Sequence, residues 1–122
     1  MAKKILIVED DIFLRQLISK KMSSEGFDVS LAVDGADGVK EAKKIMPDLI
    51  LLDLVLPTMD GFEVLSKIKA DSETGSIPVI ILSNLGQQEE ISKGLKLGAA
   101  DFLVKAQLTP EEIVEKVKTL LK

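Results

Sequence analysis

Five short apolar runs punctuate the chain, near residues 4–8, 27–32, 48–53, 78–82 and 101–104. Ile5-Leu6-Ile7-Val8 and Leu49-Ile50-Leu51-Leu52 show no apolar–polar alternation, as expected of strands covered on both faces. The stretches between them carry apolar residues at helical spacing. A first helix is predicted over 12–24, with Leu14, Leu17, Ile18 and Met22 on one face and Gly26 closing it. A second spans 35–46, with Asp34 as N-cap and Pro47 barring continuation. A third spans 61–69: Asp60 and Glu63 have capping-box spacing, and Val64, Leu65 and Ile68 form a stripe. The fourth, over 87–97, turns Ile91 and Leu95 inward and ends at Gly98. The fifth is the clearest, with Thr109 as N-cap, Pro110 in the first turn and Glu112 three after the cap. Ile113, Val114, Val117, Leu120 and Leu121 make its apolar face.

Five strand–helix units in series predict an α/β fold: a doubly wound, five-stranded parallel sheet with five helices, flavodoxin-like. Right-handed crossovers with two helices on one face and three on the other give the strand order 2-1-3-4-5, by analogy with such folds. Strands 1 and 3 then meet at the switch point, where doubly wound sheets bind ligands beyond the carboxyl ends of their strands. The units fill residues 1–122, expected as a single domain.

Four apolar runs end in polar groups on that side. They lead to Glu9-Asp10-Asp11, Asp53, Ser83 and Lys105. Asp53 stands out, since an acid closing a buried strand is costly to desolvate. Three carboxylates gathered together repel one another unless a cation compensates. The chain has no Cys and no His, which excludes disulfides, thiol nucleophiles and an imidazole base. A metal here would have oxygen ligands only, which points to a hard cation such as Mg²⁺. Asp53 is then both a candidate ligand and a candidate nucleophile toward phosphorus, with Lys105 and Ser83 contacting the transferred group. Each residue alone also has a plainer reading. Asp11 is better read as the cap of the first helix, Asp60 as a cap, and Pro57 and Gly61 as loop formers. Ser83 alone is a turn residue and Lys105 a solvated amine.

Apolar residues make up 46% of the chain, enough for a compact core, and the formal net charge is −4. The pairs Lys3-Lys4, Lys20-Lys21 and Lys43-Lys44 are separated and build no basic patch, so direct nucleic-acid binding is not expected. No apolar run is long enough to span a bilayer and no signal peptide is visible, so the expected setting is cytoplasmic and free of membrane.

Four blocks carry a resemblance: Ile5 to Asp11, Pro47 to Gly61, Ile77 to Ser83, and Gly98 to Lys105. Their order and spacing, and the stretch Asp53-Leu54-Val55-Leu56-Pro57-Thr58-Met59-Asp60-Gly61 above all, resemble the receiver domain of two-component response regulators over the whole chain. The resemblance implies that Asp53 accepts a phosphoryl group from a histidine kinase or phosphotransfer protein. It implies Mg²⁺ on Asp10, Asp53 and the Val55 carbonyl, with Glu9 acting through water. Ser83 and Lys105 would contact the phosphoryl oxygens, and Ser83 with Phe102 would form the switch. The signal would leave through helix 4, strand 5 and helix 5 toward a downstream target protein. The chain is expected as a monomer, with dimerisation on phosphorylation left open, and as a signalling protein that catalyses only its own phosphoryl transfer and slow autodephosphorylation.

Three departures matter. Ala106 stands where the family usually has Pro after the lysine, typically in a cis bond. A non-proline cis bond costs roughly 2.5–4 kcal/mol, which leaves the bond trans or strained cis. Asn84 replaces a smaller residue beside Ser83. Val55 and Leu85, both apolar, occupy the variable flanks of the phosphoryl pocket, and neither orients a water, so a long-lived phosphorylated state is expected.

Other classes fit less well. An aspartyl-phosphate phosphohydrolase resembles Asp-x-Asp at its nucleophile, whereas Val55 holds the second position here. A flavin-binding flavodoxin needs hydroxyls and glycines after strand 1, where three acids stand, and the chain lacks Trp and Tyr for stacking. A degenerate receiver serving only as a phosphorylation-independent docking module is the remaining alternative.

Overall fold

The computed structural model describes residues 2–84 and 86–121. Strands β1 (Lys4–Val8), β2 (Asp28–Ala32), β3 (Leu49–Asp53), β4 (Val79–Ser83) and β5 (Asp101–Val104) alternate with helices α1 (Ile12–Ser24), α2 (Gly35–Ile45), α3 (Gly61–Ala70), α4 (Gln88–Lys96) and α5 (Pro110–Leu120). All strand pairs are parallel and the order is β2-β1-β3-β4-β5, as expected. β3 and β4 lie inside the sheet, and every residue of both is buried. That burial is why both sequences run apolar without alternation up to their last residues, Asp53 and Ser83.

The two faces of the sheet support separate apolar layers. Ile5, Ile7, Leu49, Leu51, Ile80, Leu82 and Leu103 face α1 and α5, meeting Ile18, Met22, Ile113, Val114 and Val117. Leu6, Val8, Ile50, Leu52, Val79, Ile81 and Phe102 face the other three helices, meeting Ala42, Val64, Leu65 and Ile68. The strand period of two thus sends neighbouring residues to opposite layers.

The expected stops and starts hold locally. Asp11, Asp34, Asp60 and Thr109 each accept backbone N–H groups in the first turn of their helix. Thr109 and Glu112 form the reciprocal capping box. Gly26 and Gly98 follow α1 and α4 with φ of 92° and 106°, a conformation L side chains rarely adopt. Three inward assignments need correction. Leu17, Leu95 and Leu120 are 42%, 47% and 40% exposed, on the margins of their helical stripes.

Candidate functional site

Register brings the polar strand ends together. Val8 pairs with Leu52, so the next residues, Glu9 and Asp53, lie side by side. Asp53 pairs with Leu82, which sets Ser83 one step beyond it, and Ser83 pairs with Val104, directly before Lys105. The four strand ends therefore converge because parallel strands in this order share one carboxyl edge.

Asp53 is buried, with 6% of its surface exposed. Lys105 Nζ lies 3.3 Å from its Oδ2, and the Val55 backbone N–H donates to its Oδ1 at 3.5 Å. Glu9 is still more buried, and Lys105 Nζ approaches its Oε1 to 2.7 Å. The other Glu9 oxygen, Oε2, accepts the Asp11 backbone N–H at 3.1 Å. Asp10 is exposed, yet its carboxylate and those of Glu9 and Asp53 offer oxygens all within 4.8 Å of one another. Burial pushes the Glu9 carboxyl up to about 7; Lys105 lowers it less than burial and the Asp53 charge raise it. Burial alone would lower the Lys105 amine, but its contacts with Glu9 and Asp53 outweigh that and hold it raised.

The flanking positions are also placed. Ser83 is completely buried and Phe102 is 9% exposed, its side chain in the layer shared with α2, α3 and α4. Val55 is 64% exposed at the rim, and Asn84 is exposed beside Ser83. Leu85, the other flank, lies outside the described residues. No described peptide bond is cis, so Lys105–Ala106 is trans, and Lys105 opens a short 3-10 turn over Lys105–Gln107. Its ammonium reaches both acids from that turn without a following proline. A groove of about 730 Å³ between α1 and α5 holds none of these residues. The acidic site is a rim site, suited to an ion and a small anionic group.

Sequence reasoning passed over one residue. Arg15 Nη1 donates to the Glu9 carbonyl at 2.8 Å, tying the acidic loop to α1. No periodicity marks it, because a half-buried arginine on an amphipathic helix reads as surface.

Residues 5–118 match the model of the response regulator receiver domain. The chain belongs to that family. Receiver domains are signalling switches rather than enzymes in the ordinary sense, and phosphorylation on an aspartate and Mg²⁺ binding are general features of them. This receiver domain is 41% identical over 119 residues to the DNA-binding dual master transcriptional regulator RpaA of Synechocystis sp., covering 98% of this chain and 49% of the relative. It is 34% identical over 122 residues to the phosphate regulon transcriptional regulatory protein PhoB of Escherichia coli, covering 100% of this chain and 53% of the relative. The chain thus spans about half the length of these curated relatives. Among solved structures, the chemotaxis protein CheY4 of Vibrio cholerae superposes with a TM-score of 0.92 at 30% identity, covering 99% of this chain and 100% of that one.

Receiver domains bind Mg²⁺ at an acidic pocket, and this one gathers Glu9, Asp10 and Asp53. The donor set fits a hard, oxygen-seeking cation. A second observation agrees. Glu9 Oε1 is buried, and among the described residues its one ion-pair partner is the Lys105 ammonium at 2.7 Å, which leaves it room for a second. A buried acceptor with open lone pairs is costly unless a further partner approaches it.

Proposed function

We propose that this receiver domain is a phosphorylation-dependent switch that takes a phosphoryl group on Asp53 from the phosphohistidine of a histidine kinase or phosphotransfer protein. The observation that carries the reading is Lys105, whose ammonium bridges Asp53 Oδ2 and Glu9 Oε1 at 3.3 and 2.7 Å in an acidic cluster. An Asp53 oxygen attacks phosphorus in line; the new O–P bond forms as the P–N bond to the donor histidine breaks, and the imidazole leaves with its electron pair and takes up a proton. Asp10, Asp53, the Val55 carbonyl and Glu9 would hold Mg²⁺, and bound Mg²⁺ supplies charge neutralisation at the phosphoryl oxygens. Lys105 then exchanges part of its carboxylate contact for a phosphoryl oxygen, and the buried Ser83 hydroxyl donates to another. Phosphorylated Asp53 draws Ser83 toward it, and the Phe102 ring rotates between buried and exposed positions in step, which alters the α4–β5–α5 face presented to a downstream protein. Slow autodephosphorylation resets the switch in the cytoplasm.

The deciding experiment is labelling by a phosphohistidine donor with Mg²⁺ present. The parent should label and Asp53→Asn should not. Equal labelling of both would remove Asp53 from the role, and no labelling of the parent would leave a docking module.

A further inference from the structure

We infer that Arg15 is a positioning residue for the Mg²⁺ site, holding the Glu9-Asp10-Asp11 loop in the shape that aims Asp10 at Asp53; the inference rests on the metal role proposed above. Asp10 is the exposed member of the acidic trio, and no described hydrogen bond orients its side chain. Its direction is therefore set by the backbone on either side of it. On one side, the Glu9 N–H donates to the Ala32 carbonyl of β2 at 3.1 Å, and the Glu9 carbonyl accepts from Arg15 Nη1 at 2.8 Å. On the other side, Asp11 Oδ1 accepts from the N–H groups of Phe13 and Leu14, and the Asp11 carbonyl accepts from the Arg15 N–H at 2.9 Å. The Asp11 N–H in turn donates to Glu9 Oε2. These bonds close a ring from Glu9 through Asp11 to Arg15 and back to Glu9. Asp10 is the one residue of the loop between its two clamps, and Arg15 is the only side chain from outside the loop that closes the ring among the described residues.

The guanidinium suits this task. It is planar, always charged and half-buried here, so its donor is directed at the carbonyl rather than free to swing. An outer-shell partner of this kind typically changes metal affinity by roughly tenfold or more when removed. A charge argument predicts the opposite. Arg15 is a cation near three acids, and if its field alone mattered, removing it would tighten cation binding.

The test compares the parent with Arg15→Lys, which keeps the charge but loses the fork, and Arg15→Met, which loses both but keeps the stem. Mg²⁺ is titrated against each protein and followed through the amide signals of residues 9–11 and 53. The Mg²⁺ dependence of Asp53 labelling is measured in parallel. Both variants should need roughly tenfold more Mg²⁺ for half-saturation. Their labelling rate at saturating Mg²⁺ should stay near the parent's, a split that general loosening of the fold would not produce. Unchanged or tighter Mg²⁺ binding in either variant, or a rate loss that saturating Mg²⁺ does not restore, overturns the positioning role. A parent that shows no Mg²⁺ saturation overturns the metal reading as well, so the two failures are distinct.

Discussion

Glu9 holds a carboxyl pushed up to about 7 from an ordinary value of 4.5, chiefly by burial and then by the Asp53 charge, against the lowering contact of Lys105 and the Asp11 N–H. The folded protein therefore binds this proton more tightly than the unfolded chain. The stability it contributes is complete below about pH 4.5 and is lost as pH rises toward about 7. Without divalent cations, the parent should lose on the order of 1–3 kcal/mol across that window relative to Glu9→Gln, which keeps the shape but cannot ionise. Urea unfolding at several pH values checks this, and matching slopes in the two proteins would refute it. Mg²⁺ should favour the ionised form and flatten the parent's slope. The convergence of Glu9, Asp10, Asp53, Ser83 and Lys105 was legible in the chain because each closes an apolar run. The raised carboxyl and the Arg15 clamp were not, since they depend on depth and on a contact six residues along that leaves no periodic trace.

At the scale of elements, α4 is held to the sheet more thinly than its stripe suggests. Gly94 is its only buried residue, and Leu95 projects outward. Hydrophobic spacing marks a stripe but not which neighbours cover its edges. Near the edge strand β5, part of the α4 stripe is left over solvent; Leu17 on α1 and Leu120 on α5 are likewise exposed at the margins of their stripes. The seat of α4 is close. A methyl group on Gly94 would come within 2.6 Å of Ile81 Cδ1 and 3.2 Å of Phe102 Cδ2. Both are side-chain ends that can move, so Gly94→Ala should fold, with a loss of roughly 1–3 kcal/mol from overpacking. It should also displace the Phe102 ring. The chain has four Phe and no Tyr or Trp, so the ring is readily followed in an aromatic NMR spectrum. An unshifted Phe102 ring would show that α4 does not bear on it. Secondary structure itself was legible to within one or two residues, because caps such as Asp34, Asp60 and Thr109 act locally.

Across the whole molecule, strand order was not contained in periodicity. It followed from the handedness of crossovers and the likeness to doubly wound folds, and the register then did the rest by aligning four carboxyl ends. That same architecture gives the proposed switch a direction. Ser83 ends β4, and the chain leads from it to α4; Lys105 follows β5, three residues after Phe102. In the proposed switch, a group on Asp53 would engage the ends of β4 and β5 together through Ser83 and Lys105, whereas β1 is fixed to β3 along its length and β2 lies beyond it. The layer formed by α1 and α5 packs on the opposite sheet face from Phe102. Loading with beryllium fluoride and Mg²⁺ mimics the phosphoryl group without its turnover. Amide shifts should then spread from residues 9–11 and 53–55 along β4 and β5 into α4 and the neighbouring edge of α5. They should fade toward Asp28–Ala32 and the end of α2. Shifts confined to the acidic loop and Val55 would mean that Asp53 can be loaded without moving the output face, and the switch would have to be withdrawn even if labelling of Asp53 held. A population shift is required because a ligand moves a two-state element only by its differential affinity for the two states. With Gly94 as its one buried residue, α4 has the fewest of the five helices, which favours it as the element such a shift would move.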